Sequence, residues 1–292
     1  AGNLRTRVSE RRHSHGYFPV NVAATSAAEY DRVQDGPETF LIDSQWVLIK
    51  DLLRDPPKSK RGGRPRVAAR ACLEGILWIL RTGARWQDLP ERYPSPSTCW
   101  RRLQEWTAAG VWKKAWRRLL KKLDALNQID WEEAMGEERF RPQKKGADVG
   151  KTKKGKGTKI MLMIDGNGTP LSVFTLSANQ AEVNALENLV DIRVTKKKPK
   201  RMLYDKASDA DWVRERLDAR GIELICPHRR GRKKPPTQDC RPLRRYRRRY
   251  KVERTISWLF NLRRLVVRYE YHDYLFQGFV QLGCLFTILK GF

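Results

Sequence analysis

The spacing of apolar residues changes near Met135, and that change restricts the folds open to this chain more than any other feature of it. Before it, the apolar residues recur at three and four. Phe40-Leu41-Ile42, Trp46-Val47-Leu48-Ile49 and Leu52-Leu53 read as a helix with Asp43 or Ser44 as N-cap, stopped by Asp55-Pro56-Pro57. Ser59 to Arg66 is a basic Gly/Pro loop, a linker or an arm lying on phosphate. Cys72, Leu73, Ile76, Leu77 and Leu80 give a second helix that Thr82-Gly83 ends. Ser97 is the expected N-cap of a third, carrying Trp100, Leu103 and Trp106 beside Arg101 and Arg102. In a fourth, Val111 to Leu126, the residues Trp112, Trp116, Leu119, Leu120 and Leu123 face inward, and Lys113, Lys114, Arg117, Arg118, Lys121 and Lys122 face outward. The expectation is a small all-α domain over 39–128 with basic outer faces, behind a weakly ordered arm over 1–38.

Beyond Met135 the pattern is that of strands. Ile160 to Ile164 is a short apolar run closed by Asp165-Gly166-Asn167-Gly168, and Pro170 to Leu176 resumes it, which predicts a β-hairpin. Helical and strand patterns then alternate: a helix over 181–190, a strand over 201–204, a helix over 210–219 and a strand over 222–226. Strands first and alternation afterwards predict an α/β domain over 129–292, a mixed sheet flanked by helices.

Charge narrows the partner. The chain has 60 Lys+Arg against 33 Asp+Glu, a formal net charge of +27, spread from Arg5 to Lys290 rather than gathered in one tail. A polyanion follows, with steep salt dependence from counterion release. Ten Trp and 40% hydrophobic residues exclude a disordered basic tail. No apolar run approaches the roughly 18–20 residues that span a bilayer, and no secretory signal is visible at the N-terminus, so a cytoplasmic or nuclear protein is expected. Cys72, Cys99, Cys226, Cys240 and Cys284 lack a C-x-x-C pair and suit free thiols.

Two carboxylates stand where chemistry would use them. Asp205 follows the 201–204 strand, and strand ends in open sheets face a crevice where a carboxylate can meet a metal ion. Glu253 lies in a helical stretch behind a basic segment. Taken singly, Asp205 could be a turn aspartate and Glu253 a helix-surface glutamate. The offsets Tyr246, Arg249, Glu253 bring phenol, guanidinium and carboxylate to one face of one helix, either to hold a phosphate and a metal or as an ordinary Arg–Glu pair.

The run Tyr246-x-x-Arg249-x-x-x-Glu253-Arg254, with Ser257-Trp258-Leu259 and Arg263 to Glu270, resembles the C-terminal signature of DDE transposases of bacterial insertion sequences, in the insertion-sequence-five group. Leu203-Tyr204-Asp205-Lys206-Ala207 is similar to the family's second aspartate motif. Gly62 to Arg66, Ile76 to Gly83, Trp86 to Pro90 and Gly110-Val111-Trp112 are similar to its helical N-terminal domain. The resemblance implies an RNase H-like catalytic domain in which Asp205, Glu253 and, at the first position, Glu137 bind Mg²⁺, or Mn²⁺ in its place. It also implies cleavage at the element's terminal repeats and strand transfer into target DNA by a homodimer or larger homo-oligomer, in a cytoplasmic, nucleoid-associated setting. The DNA contacts it points to are Arg64, Arg66, Arg101 and Arg102 in the helical part, and Lys151, Lys153, Lys156 and Lys159 in the segment Gly146 to Lys159, which is similar to the family's basic loop. Arg229, Arg230, Tyr246, Arg249, Arg263 and Arg264 complete them further on.

Two positions depart from the family. Its first aspartate is here Glu137, in Met135-Gly136-Glu137-Glu138, whose extra methylene displaces the carboxylate in a near-octahedral shell. Phe260 stands seven residues after Glu253, where a Lys is common, and Arg263 or Arg264 could supply that charge. An inactive relative that only binds DNA is the competing expectation, and a basic RNA-binding protein a third. Gly146 to Thr152 has the wrong spacing for a nucleotide-binding loop. Asp165 reads as a turn residue, and His228 as part of a phosphate-binding loop rather than a metal site.

Overall fold

Four helices form where the apolar spacing is helical: α1 (Asp43–Ile49), α2 (Ala69–Thr82), α3 (Pro96–Ala108) and α4 (Val111–Ala125). The structure is a computed structural model describing residues 39–53, 65–238 and 240–292; the expected arm over 1–38 and Arg64 lie outside the described residues. Gly83 ends α2 with φ 72° and donates its N–H to the Ile79 carbonyl at 2.9 Å, a left-handed position that glycine takes without a Cβ penalty. Two helix starts differ from expectation. Ile42, not Asp43 or Ser44, precedes α1, and Gln45 Oε1 accepts its N–H at 3.3 Å. Ser97 lies inside α3, which begins at Pro96, because proline's fixed φ and missing N–H suit the first helical position.

The sheet has six strands, β1 (Glu133–Pro142), β2 (Gly150–Thr152), β3 (Gly155–Asp165), β4 (Pro170–Ser177), β5 (Arg201–Leu203) and β6 (Glu223–Ile225). β3 lies antiparallel between β1 and β4, with short β2 on its first residues, and β5 and β6 follow β1 in parallel. This is the RNase H-like order, an antiparallel meander extended by two parallel strands. The β3–β4 hairpin forms as its turn sequence requires. Asp165, fully buried, accepts the N–H groups of Asn167, Thr169 and Asp130 at 3.0, 2.7 and 2.9 Å, so its role is to hold the turn.

Helices α5 (Glu182–Asp191) and α6 (Asp211–Asp218) make the crossovers to β5 and β6. A 3₁₀ helix (Arg244–Arg249) runs directly into α7 (Tyr250–Phe260), and α8 (Asp273–Leu289) closes the chain. α8 is buried along most of its length because it packs on α3 and α4 on one side and on β4 on the other. Gln277 in α8 bonds the edge of β4 that no strand covers, accepting from Thr175 N at 2.7 Å and donating to Val173 O at 3.1 Å. Trp116 in α4 donates to Pro170 O at 3.0 Å. Helices and sheet therefore share one hydrophobic core. Among the described residues no helix is long and apolar enough to cross a membrane.

This shared core has a measurable consequence. A fragment over residues 39–128 would expose Trp112, Trp116, Leu119 and Leu120, which are at most 1% accessible in the whole chain. At ~25 cal/mol per Å² and ~150–250 Å² per aromatic side chain, the lost burial is on the order of the whole stability of a small domain. The fragment should show helical far-UV circular dichroism without a cooperative thermal transition; a sharp melt like that of the full chain would contradict it.

Candidate active site

Parallel pairing of β1 and β5 sets Met135 opposite Leu203, so Glu137 and Asp205, two residues further along each strand, reach the same edge of the sheet on the same face. Glu137 is buried. Its Oε2 accepts a close, charge-assisted bond from Arg249, and its Oε1 lies 3.1 Å from Arg139 Nη1. Arg249, also buried, donates to the Tyr246 hydroxyl at 2.8 Å, and that hydroxyl reaches Asp205 Oδ1 at 3.5 Å. Asp205 also accepts Lys206 N at 2.6 Å. Glu253 is exposed one turn beyond Arg249 and within electrostatic reach of Glu137.

The helix expected to carry Tyr246, Arg249 and Glu253 is two helices in one line. The 3₁₀ segment repeats every three residues and aligns Tyr246 with Arg249; the α-helix that follows repeats every 3.6 and aligns Arg249 with Glu253. Burial pushes the Glu137 carboxyl above its ordinary value; Arg249 and Arg139 oppose that, while the charges of Glu253 and Asp205 add to it. Carboxylate oxygens from three elements are the donors a hard divalent cation takes, so the residues fit such an ion chemically. In the present arrangement the cationic place beside Glu137 is filled by guanidinium, and among the described residues no three acidic, His or Cys side chains are spaced to share one ion.

Alternation along β1 sends Glu138 to the other face, where its Oε2 lies 3.0 Å from Lys159 Nζ. Lys159 also approaches Glu182 at 3.8 Å and donates to Gln180 O, so this expected DNA contact is engaged inside the protein. Burial pushes the Glu182 carboxyl up to about 8, and its hydrogen bond with Glu138 works in the same direction. A carboxyl raised on folding stabilises fully below its ordinary value near 4.5 and loses that contribution as pH rises through about 8. The thermal midpoint should therefore fall as pH rises from about 4.5 to about 8, and Glu182→Gln should flatten that fall. Parallel curves for the two proteins would dismiss the shared proton.

Other expected contacts divide by burial. Arg101 is exposed, but Arg102 is 3% accessible and bonds Val67 O at 3.1 Å and Glu105 at 3.5 Å, which removes it from the outer face. Arg264 is likewise buried, donating to Glu270 at 2.7 Å and to Ala84 O at 2.8 Å; Arg263 is exposed. Arg66 pairs with Glu105 at 2.6 Å. Lys151, Lys153 and Lys156 are exposed on the β2–β3 arm, and Arg229 and Arg230 on the loop after β6.

His228 anchors that loop rather than offering itself to phosphate. Its Nε2 accepts Thr237 N at 3.1 Å, which leaves the proton on Nδ1, 2.9 Å from Asp209 Oδ1. Asp209 also binds Arg229 N, Arg214 and Arg232 at 2.9, 3.0 and 3.2 Å. Burial alone would raise the Asp209 carboxyl, but these partners hold it down at about 2. Sequence reading missed this hub. It also missed Glu133, 1% accessible at the start of β1, which is clamped by Arg245 and, at 2.9 Å, by Arg248 and so ties the basic segment to the sheet. A run of arginines next to a carboxylate far away in sequence gives no local sign of such pairing.

The fold and its edge define a class, an RNase H-like sheet whose carboxylates gather where parallel strands end. Comparison with known proteins gives the family. Residues 126–285 match the family described as "Transposase DDE domain", and residues 41–116 match "Putative transposase of IS4/5 family". The chain belongs to the DDE transposase family of insertion sequences. It is 50% identical over 97 residues to the "Insertion element IS402 uncharacterized 16.2 kDa protein" of Burkholderia cepacia, covering 32% of this chain and 65% of that protein. It is 34% identical over 136 residues to the "Putative transposase for insertion sequence element IS402" of the same organism, covering 44% of this chain and 61% of that protein. The chain thus spans somewhat less than two thirds of the length of these curated relatives. Among solved structures, a piggyBac transposase synaptic complex with hairpin DNA aligns with a TM-score of 0.48 and 9% identity, covering 89% of this chain and 73% of that one.

Proposed function

We propose that this chain is a DNA transposase that binds duplex DNA at the ends of its element, cuts the strand there and joins it to target DNA, working as a homo-oligomer that pairs two ends. The observation that carries this reading is the meeting of Glu137, Asp205 and the Arg249–Glu253 helix at one edge of the sheet. Glu137, Asp205 and Glu253 would hold Mg²⁺, on the hardness of their oxygens, with Mn²⁺ as an alternative occupant. When bound, the ion would supply charge stabilisation for phosphodiester attack. Arg249 presents a guanidinium at the same edge, where it can trade its bond to Glu137 for a strand phosphate, a geometry that favours bidentate recognition. Tyr246 orients Arg249 through the 2.8 Å bond and keeps Asp205 within reach. The exposed lysines of the β2–β3 arm and Arg101 extend the basic surface that duplex DNA needs.

One observation favours a second reading, a relative that binds DNA without cutting it: both Glu137 oxygens already have arginine partners. A supercoiled plasmid carrying the inverted repeats that flank the gene distinguishes the two. Under the first reading, purified protein with Mg²⁺ nicks the plasmid at the repeat ends, and chelation stops it. Binding without nicking, with either Mg²⁺ or Mn²⁺, would leave only the second.

A further inference from the structure

Arg141 lies four residues beyond Glu137 on β1, and strand alternation brings both side chains to the same face. Its guanidinium carbon rests 3.4 Å from the centre of the Phe260 ring, at the last residue of α7. Its Nε is buried with no hydrogen-bond partner. Burial and the neighbouring charge of Arg139 push it down to about 10, and no carboxylate contributes to offset them. Other arginines of this domain are different. Arg139 has Glu137, Arg264 has Glu270, and Arg268 has the Glu270 carbonyl and the Thr158 hydroxyl. A half-buried cation without an anion is unfavourable in the free protein, and an aromatic face attracts it without offering a lone pair in the guanidinium plane. The ring holds the guanidinium flat and supplies no acceptor in its plane.

We propose that Arg141, stacked on Phe260, is a docking point for a backbone phosphate of bound DNA. Phosphate supplies oxygens in the plane the ring imposes, and a rigid guanidinium binds them better than a flexible ammonium does. Four residues of strand set this point roughly 13 Å from Glu137. The phosphate it takes is therefore not the one that reacts; at ~3.4 Å per nucleotide along the duplex axis it lies about four nucleotides away. Phe260 stands where the resemblance leads one to expect a lysine, and Arg141 brings a charge from the facing strand to that same place. The inference rests on the transposase reading.

The test uses the full chain and a fluorescein-labelled duplex of arbitrary sequence, since a phosphate contact is indifferent to bases. Affinity is followed by anisotropy across a salt series, and thermal stability is measured without DNA. Arg141→Gln should weaken binding about tenfold and lower the slope of log K against log salt by about 0.9, the amount one released counterion accounts for. Its melting temperature should hold or rise, because an unpaired half-buried charge has gone. Arg141→Lys should keep the parental slope. A slope unchanged in Arg141→Gln would overturn the inference, and a fall in melting temperature with an unchanged slope would make Arg141 a packing residue for Phe260. A parent chain without salt-dependent DNA binding would instead overturn the transposase reading, and this inference with it.

Discussion

Asp205→Ala is expected to lower metal-dependent cleavage of terminal-repeat DNA by about a thousandfold or more, a loss of about 4 kcal/mol in transition-state stabilisation, with DNA affinity close to the parent's. Asp205 suits such an experiment because the fold asks little of it. Its carboxylate is partly exposed, accepts the adjacent Lys206 N–H and a long bond from Tyr246, and takes no part in the Asp209 hub that fixes the neighbouring loop. Glu253, exposed on α7, should behave in the same way. Glu137 should not. Its side chain is 11% accessible and that of Arg249 10%, so Glu137→Ala leaves a buried guanidinium with the Tyr246 hydroxyl but without its carboxylate counter-charge, a change that costs roughly 3–5 kcal/mol of stability. Loss of cleavage in that variant would mix unfolding with lost chemistry. Glu137→Asp keeps the charge and is the informative change at this position; it should raise activity if the extra methylene of Glu137 hinders metal binding, and leave it similar otherwise. Nicking of the repeat plasmid, read beside anisotropy for binding, checks all of these. An Asp205→Ala protein that nicks like its parent would remove the acidic edge from the mechanism.

What the sequence could show about this fold was local. The four helices, the Asp165 hairpin and the alternation after it are written in spacing and turn chemistry that act within a few residues, and they appear nearly where expected. The proposed carboxylates rest on motif order, which also acts over short windows. What stayed hidden depends on long-range pairing. That α8 lies between α4 and β4 follows from contacts across more than a hundred residues, so two segments that read as separate units turn out to share a core. Arg102 and Arg264 are as basic in sequence as Arg101 and Arg263, yet a one-residue rotation on the helix or turn buries the former pair against Val67 and Ala84 carbonyls. Charge alone predicts a surface; only the packed neighbours show which arginines remain on it. Glu133 and Asp209 escaped notice for the same reason, since a buried carboxylate is legible only through the cations that surround it.

Gly136→Ala should be the most damaging single-methyl change near the site, destabilising the protein by about 3 kcal/mol or more and abolishing cleavage. A Cβ at Gly136 would lie less than 3.0 Å from two ring carbons of Tyr204, a separation that real Cβ atoms do not adopt. The ring cannot step aside: Tyr204 is fully buried and directly precedes Asp205. Gly136 is thus the point at which β1 lets the Tyr204 ring cross over it, and that crossing fixes the height of Asp205 against Glu137. Pushing the strands apart to admit one methyl would disturb the β1–β5 register on which the acidic edge depends. Because the clash involves the ring and not the hydroxyl, Tyr204→Phe should give no relief, whereas Tyr204→Leu in the Gly136→Ala background should recover part of the lost stability. The two changes should be coupled by about 1 kcal/mol or more in a double-mutant cycle measured by denaturant unfolding. Additive effects would mean that the glycine serves something other than the approach of this ring. Recovered stability without recovered cleavage would still be informative, because Leu fills less of the space behind Asp205, and it would show that the Tyr204 ring positions the carboxylate as well as filling the core.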